Sequence, residues 1–289
     1  MKFNRKFRLL IEITENGETK TLEIKSPLTI EFQIERNSAS SLNSASIRVY
    51  NLTENNRNAI FQNIYDIRNA QSRRKVILQA GYGDELSTIF IGGMNEAYSY
   101  RQSTEIITFI SALDGGIEAY NSYINKTFEA GLTKENLFKE LAKSLGLPIG
   151  TIGETQGESK RGVAVNGNTF TLLKKDFKDE FFIDLGTIHK LKPNEAIKGK
   201  VPLINSDTGL LGTPLLQGVY LQVDLIFEPR LKVGQLIQIE SSFNKKFDGQ
   251  YKIIGIRHNA IISEATSGEA TTTLQLLLGD KLLGGLKQV

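Results

Sequence analysis

Cysteine is absent from this sequence, so disulfides, a thiolate nucleophile and cysteine-ligated zinc are all excluded. The chain has to hold together by packing and assembly alone. Tryptophan is absent too, and there are only two histidines, His189 and His258. Neither has a second histidine or a carboxylate at metal-ligand spacing, and both read as structural or surface residues in strands. No Gly-x-Ser-x-Gly elbow occurs, so serine hydrolase chemistry has no foothold. Long apolar runs are missing: nothing approaches the roughly 20 residues that cross a bilayer, and no membrane anchoring is expected. Met1-Lys2-Phe3-Asn4-Arg5 is basic with no apolar segment behind it. No secretory signal is therefore expected, and the sequons at Asn51 and Asn125 carry little weight. Strong net charge is missing as well. The 35 Lys and Arg face 32 Asp and Glu, a net +3, without the basic stripe of a nucleic-acid binder. The densest cationic run, Arg73-Arg74-Lys75, reads as a solvated loop.

What is present is strand pattern. With 289 residues, 40% of them hydrophobic, the chain can bury one large core or two to three smaller ones. Phe7 to Thr14 and Thr19 to Ile24 flank Asn16-Gly17, a type I′ hairpin signal. Leu28 to Arg36 and Ala45 to Tyr50 alternate as further strands, and Thr53 caps a short helix carrying Ile60, Phe61 and Ile64. The middle differs. A strand is expected at Asn125 to Glu129, then an amphipathic helix capped by Thr133 with Leu137, Phe138, Leu141 and Leu145 on one face and Gly146 at its end. Ile149 to Gly162 reads as an exposed mobile loop, Asn168 starts a second helix, and Phe181 to Leu191 form a hairpin over Leu185-Gly186. From Val201 the pattern returns to strands, with Val219 to Phe227 alternating. The division expected is 1–118 as a first β-unit, 119–200 as an α+β insert and 201–289 as a second β-unit.

One stretch is spoken twice. Val76 to Ala80, the turn Gly81-Tyr82-Gly83-Asp84, the long strand Thr88 to Tyr100 and the strand Glu105 to Leu113 form one unit. Leu236 to Ile239, the turn Phe247-Asp248-Gly249-Gln250, the long strand Tyr251 to Ser263 and the strand Thr271 to Leu278 repeat it. A glycine early in each long strand, Gly93 and Gly255, aligns the copies. Repetition on this scale points to a duplicated supersecondary unit.

Three groups invite a chemical reading. Asp207-Thr208-Gly209 matches the aspartic protease triplet, but that chemistry needs two aspartates sharing a proton and there is one copy, so a turn is the better reading. Gly92-Gly93 lies inside a strand rather than ahead of a helix, which marks a bulge or a close backbone approach rather than a phosphate loop. Tyr98 and Tyr100 share a strand face that suits either packing or a sugar. No catalytic, cofactor-binding or metal-binding residues are assigned, and no enzyme is expected.

A resemblance runs through these segments. Ile34-Glu35-Arg36 through Ala45 to Leu52, Phe90 to Tyr100 and Ala112-Leu113-Asp114-Gly115-Gly116 carry its first part. Asn125-Lys126-Thr127-Phe128, the turn Asp207 to Gly212 and Phe227-Glu228-Pro229-Arg230-Leu231-Lys232-Val233-Gly234 continue it. In that order they resemble the baseplate hub proteins of contractile-tailed bacteriophages. The resemblance implies a mainly β fold, α+β overall: two tail-tube-type antiparallel β-barrel or sandwich domains with a small α+β insert. It further implies a homotrimer forming a pseudo-sixfold ring, tail-tube proteins above it, a trimeric spike below and other baseplate proteins around it. Genomic DNA would pass through the channel without sequence-specific binding, and the protein would sit in the virion after assembly in the host cytoplasm. The equivalent hub of a phage-derived injection machine, and a carbohydrate-binding β module using Tyr98 and Tyr100, stand as alternatives.

Overall fold

A computed structural model of the chain describes residues 4–15, 17–63, 72–264, 268–277 and 285–289. Seven strands come first: β1 (Arg5–Glu15), β2 (Glu18–Lys25), β3 (Ile30–Asn37), β4 (Ser44–Tyr50), β5 (Ser72–Tyr82), β6 (Glu85–Gln102) and β7 (Glu105–Leu113). Helix α1 (Glu54–Ile60) sits between β4 and β5, where the Thr53 hydroxyl accepts the Asn56 N–H. The expected extension of this helix to Ile64, the residue Asn16 and the end of the last strand at Leu278 lie outside the described residues. The insert runs α2 (Gly116–Asn121), β8 (Tyr123–Phe128), α3 (Lys134–Leu145), β9 (Ile149–Ile152), β10 (Val163–Asn168), α4 (Thr169–Phe177), β11 (Phe181–Asp184), β12 (Thr187–Lys190) and β13 (Glu195–Ala196). The last part holds β14 (Leu203–Ile204), β15 (Leu210–Gln217), β16 (Tyr220–Ile226), β17 (Leu236–Ile239), β18 (Gly249–Ile262), β19 (Ala270–Leu277) and β20 (Lys287–Gln288).

Thirteen of these strands form one sheet in the order β15-β16-β19-β18-β3-β4-β7-β6-β5-β1-β2, with β17 on the near half of β18 and β14 beyond it. The fold is mainly β, and hydrogen bonding joins the strands of the two expected units into this single sheet. Their seam is antiparallel, from Asn37 opposite Gly255 to Ile30 opposite Ile262. Period-two alternation puts Ile30, Phe32 and Ile34 inward and leaves Glu31, Gln33 and Glu35 on the other face. Phe227 crosses the seam to join the first core, edge-on to Phe32 at 6.1 Å, and its carbonyl accepts the Tyr82 hydroxyl at 2.9 Å. A second core lies under β16 to β19, and a third fills the insert between α3, α4 and β11.

Two expectations need correction. Ile149 to Ile152 are not loop: they form β9, parallel to β12, because the hairpin edge of β12 offers the backbone partners a loop would lack. The strand after the Asp207 turn begins at Leu210, so Leu210-Leu211-Gly212 belongs to β15 and not to the turn. Helix α2 had no forecast. Gly115 enters it at φ +70°, and the helix is six residues long with no side-chain cap.

Arg36 continues the inward phase of β3, so its guanidinium points to the apolar side and is 2% exposed. Its Nε and Nη2 donate to the two carboxylate oxygens of Asp184 at 2.7 and 2.6 Å, and Nη1 donates to the Leu231 carbonyl at 3.3 Å. Bidentate geometry of this kind satisfies a charge that burial would otherwise penalise heavily. The joint has a second layer. Asn43 donates to the Ile183 carbonyl at 2.7 Å while its Oδ1 accepts the Asn37 N–H, and Asp114 Oδ1 accepts the Gly186 N–H at 3.0 Å. One strand of the sheet, one hairpin of the insert and one loop of the second unit therefore meet at a single buried ion pair.

Two outcomes follow from this joint. Asp184→Ala strands a buried guanidinium and should cost about 3–5 kcal/mol in denaturant unfolding, whereas Arg36→Met with Asp184→Leu should recover most of that loss. A double variant as unstable as the single one would contradict the reading. Burial, with the Asp184 charge second, pushes the Asp114 carboxyl from 3.8 up to about 8. The folded chain then holds a proton that the unfolded chain has released, so this group's contribution is full below pH 3.8 and fades as pH rises towards 8. Asp114→Asn should flatten the fall in unfolding midpoint across that window; equal slopes in both proteins would exclude it.

Candidate assembly site

The two halves of the sheet carry the same ladder, residue by residue. In the first half β6 bulges against β7 between Met94 and Glu96, opposite Ala112 and Ser111. In the second β18 bulges against β19 between Ile253 and Gly255, opposite Leu276 and Gln275. Aligning the bulges makes the other pairings coincide. Gly93 opposite Lys75 matches Lys252 opposite Leu236, and Ala45 opposite Ala112 matches Leu221 opposite Leu276. Glu35 opposite Ser44 matches Gln217 opposite Tyr220. The duplication thus covers β3, β4, β5, β6 and β7 against β15, β16, β17, β18 and β19, which is wider than the three-strand repeat read from spacing.

A side-chain pair across the two strands is also kept in place. Ser99 and Thr108 share a hydrogen bond of 3.0 Å across β6 and β7, and at the matching positions His258 Nδ1 and the Thr272 hydroxyl share one of 2.9 Å. Thr272 Oγ1 also accepts the Glu228 N–H. Burial lowers the His258 imidazole to about 3, so it is neutral and packs edge-on to Phe227 at 5.4 Å.

The glycine alignment read from sequence is offset. By ladder position Gly255 matches Glu96, and Gly93 matches Lys252. The glycines answer separate steric demands. A Cβ on Gly92 would lie 2.6 Å from the Leu113 carbonyl oxygen, one on Gly93 would lie 2.4 Å from Ile117, and one on Gly255 would lie 2.9 Å from Gln275. Close approach is therefore the role of Gly92-Gly93, as their place inside a strand suggested.

The other candidates disperse. Asp207 is exposed on the turn between β14 and β15, where Asn205 and Thr208 bond each other's backbone N–H groups. His189 stacks on Phe182 at 5.1 Å and accepts the Thr151 N–H, and burial lowers its pKa. Arg74 and Lys75 lie on β5 rather than in a loop, with Arg74 reaching Glu15 at 3.3 Å and Lys75 reaching Glu12 at 3.9 Å. Tyr98 and Tyr100 lie on the open sheet face with ring centroids 6.1 Å apart, and Tyr98 packs against Phe109 at 5.3 Å. Among the described residues no three His, Asp or Glu side chains are placed to hold a metal ion.

What the structure does bring together is edges and a face. Strand β15 ends the sheet, with Leu215 and Leu216 exposed at 54% and 56% on opposite faces of its tip. β5 covers β6 only from Glu85 to Gly93, and Gln62 then pairs with Ala97. Among the described residues nothing pairs with Tyr98 to Gln102 on that side. Such edges invite further strands. The solvent face of the seam is polar and internally paired: Arg48 donates to Glu31 at 2.8 Å, Arg257 to Glu35 at 3.0 Å and Thr273 to Asp224 at 2.7 Å.

No curated protein matches this sequence significantly. By fold, the chain is similar to a tail protein from Neisseria meningitidis at TM-score 0.60 and 10% identity, covering 93% of this chain and 96% of that one. It is similar to the 43 kDa tail protein of prophage MuSo2 from Shewanella oneidensis at TM-score 0.58 and 10% identity, covering 94% and 98%. An E. coli component of the type VI secretion system aligns at TM-score 0.55 and 10% identity, over 87% of this chain and 74% of that one. At these identities the likeness establishes the fold. The family described as baseplate hub gp41 matches residues 8–266. That span takes in the first copy of the ladder, the insert, the seam and the second copy as far as β18, and this chain belongs to the baseplate hub gp41 family, a structural component of the phage tail baseplate.

Proposed function

We propose that three copies of this chain close into a ring that joins the tail tube to a trimeric spike and lines the channel between them. The observation that carries this reading is the duplication. One chain bears two units with the same ladder and the same bulge, so three chains present six equivalent units. A ring of that kind matches a sixfold tube on one side and a threefold spike on the other. Closure is also what a sheet with open edges calls for, since it pairs the strands an isolated subunit leaves exposed.

The polar face supports a passive channel wall. Glu31, Glu35 and Asp224 are engaged by Arg48, Arg257 and Thr273, so among the described residues the seam's solvent face pairs these cations internally rather than presenting them to a phosphate backbone. DNA would pass without being read. The role is mechanical and needs no catalysis or cofactor. Tail-tube and other baseplate proteins would contact the ring's rims, which would be built in the host cytoplasm and carried in the virion. The same hub in a phage-derived injection device is the second reading, favoured by the shared fold of the type VI secretion component. Neighbouring genes separate the two, because a virion requires capsid genes.

Light scattering on the chain, alone and co-expressed with its spike partner, tests the ring. The expected result is a complex holding three copies of the chain. A chain that stays strictly monomeric with its spike present would overturn the proposal.

A further inference from the structure

We infer that β15 of one copy adds to the far half of β6 in the next copy, remaking between chains the seam that β3 and β18 make within one. This rests on the ring proposed above and adds which strands close it and in what register. β3 is the partner of β18 inside the chain, and the ladder alignment makes β15 the counterpart of β3 and β6 the counterpart of β18. The two strands left over, β15 and the far half of β6, are the other pair of the same joint. Within one chain they cannot meet, because β16, β19, β18, β3, β4 and β7 lie between them in the sheet.

The register transfers directly. Glu35 opposite Arg257, Ile34 opposite His258 and Gln33 opposite Asn259 become Gln217 opposite Tyr98, Leu216 opposite Ser99 and Leu215 opposite Tyr100. Backbone polarity agrees. Ser38 N donates to the Ile254 carbonyl, so alternate residues of β18 from Ile254 onward, including His258, turn their backbone groups to β3. On β6, Ala97 exchanges both hydrogen bonds with Gln62, so the next outward-turned residue is Ser99, the counterpart of His258. Gln62 sets the start of the ladder. The added residues of β15 between Leu211 and Leu215 set its end, since the register against β16 shifts there.

Burial argues for the same occupant. Leu215 and Leu216, on opposite faces of one edge strand, are more than half exposed, and Tyr98 and Tyr100 are 44% and 38% exposed beside the open edge. A strand with apolar residues on both faces is suited to the inside of a sheet. The chain already contains the matching slot.

Cysteine pairs test this cleanly because the chain has no cysteine of its own. Gln217 and Tyr98 would face each other as a non-hydrogen-bonded pair, at a separation a disulfide spans. Under mild oxidation Gln217→Cys with Tyr98→Cys should convert the chain into disulfide-linked multimers ending at a closed trimer. Gln217→Cys with Ser99→Cys, one residue out of register and on opposite faces, should leave the chains unlinked. Run beside scattering on the wild-type chain, the outcomes separate. A multimer without the in-register link overturns this joint and leaves the ring standing. In-register links that build open ladders support the joint and overturn the ring. A chain giving neither multimer nor link when co-expressed with its spike partner overturns both, and equal linking of the two variants overturns the register.

Discussion

A strand at the edge of a sheet carries backbone donors and acceptors that need partners, and this chain is arranged around that need. β3 would be such an edge. It has β4 on one side and, on the other, β18 from the far end of the sequence, in a continuous antiparallel ladder from Ile30 to Asn37. That pairing fuses two units, each with its own core, into one sheet. It also aligns their polar faces, so that Arg257 of one half neutralises Glu35 of the other at 3.0 Å. Duplication then makes the arrangement extensible. Among the described residues the chain satisfies one edge internally and leaves the equivalent edge open, which is the ground for the ring proposed above.

The seam is braced from behind. The Arg36 guanidinium leaves β3 on the core side and is held by both oxygens of Asp184 on the insert hairpin. Hydrophobic residues of the same volume would pack as stably, or better. An ion pair does something that packing does less sharply: it penalises every arrangement in which the hairpin is displaced, because each charge is then left buried and alone. Asp114, next to Asp184 and uncharged at neutral pH, keeps a third charge out of the site. The small insert thereby braces β3 from behind without contributing a strand to the sheet.

Much of this was legible in the sequence. Period-two alternation gave β3, β4, β7 and β16 to within a few residues, and the cap residues Thr133 and Asn168 marked helices α3 and α4. The repeat showed in the spacing of turns and long strands. The strand β15 did not, because Gly212, at φ +65°, and Pro214 interrupt it and break the alternation that identifies a strand. Helix α2 was hidden by its two leading glycines. The pairing of β3 with β18 leaves no local trace at all, since any two alternating strands look equally compatible. The nearest signal was Arg36 itself, a charged residue in phase with Ile30, Phe32 and Ile34, which announces a buried partner without naming it. The open edges were missed for the same reason: Tyr98 and Tyr100 were visible as a pair, but the unpaired backbone between them was not.

Amide hydrogen exchange, compared between the free chain and its assembled form, tests the central claim most directly. In the free chain the amides of Ile34 and His258 should be protected by the seam, while Ser99 and Leu216 exchange freely. On assembly Ser99 and Leu216 should gain protection of the same order as Ile34 and His258. Protection that rises elsewhere while Ser99 and Leu216 continue to exchange freely would contradict the account.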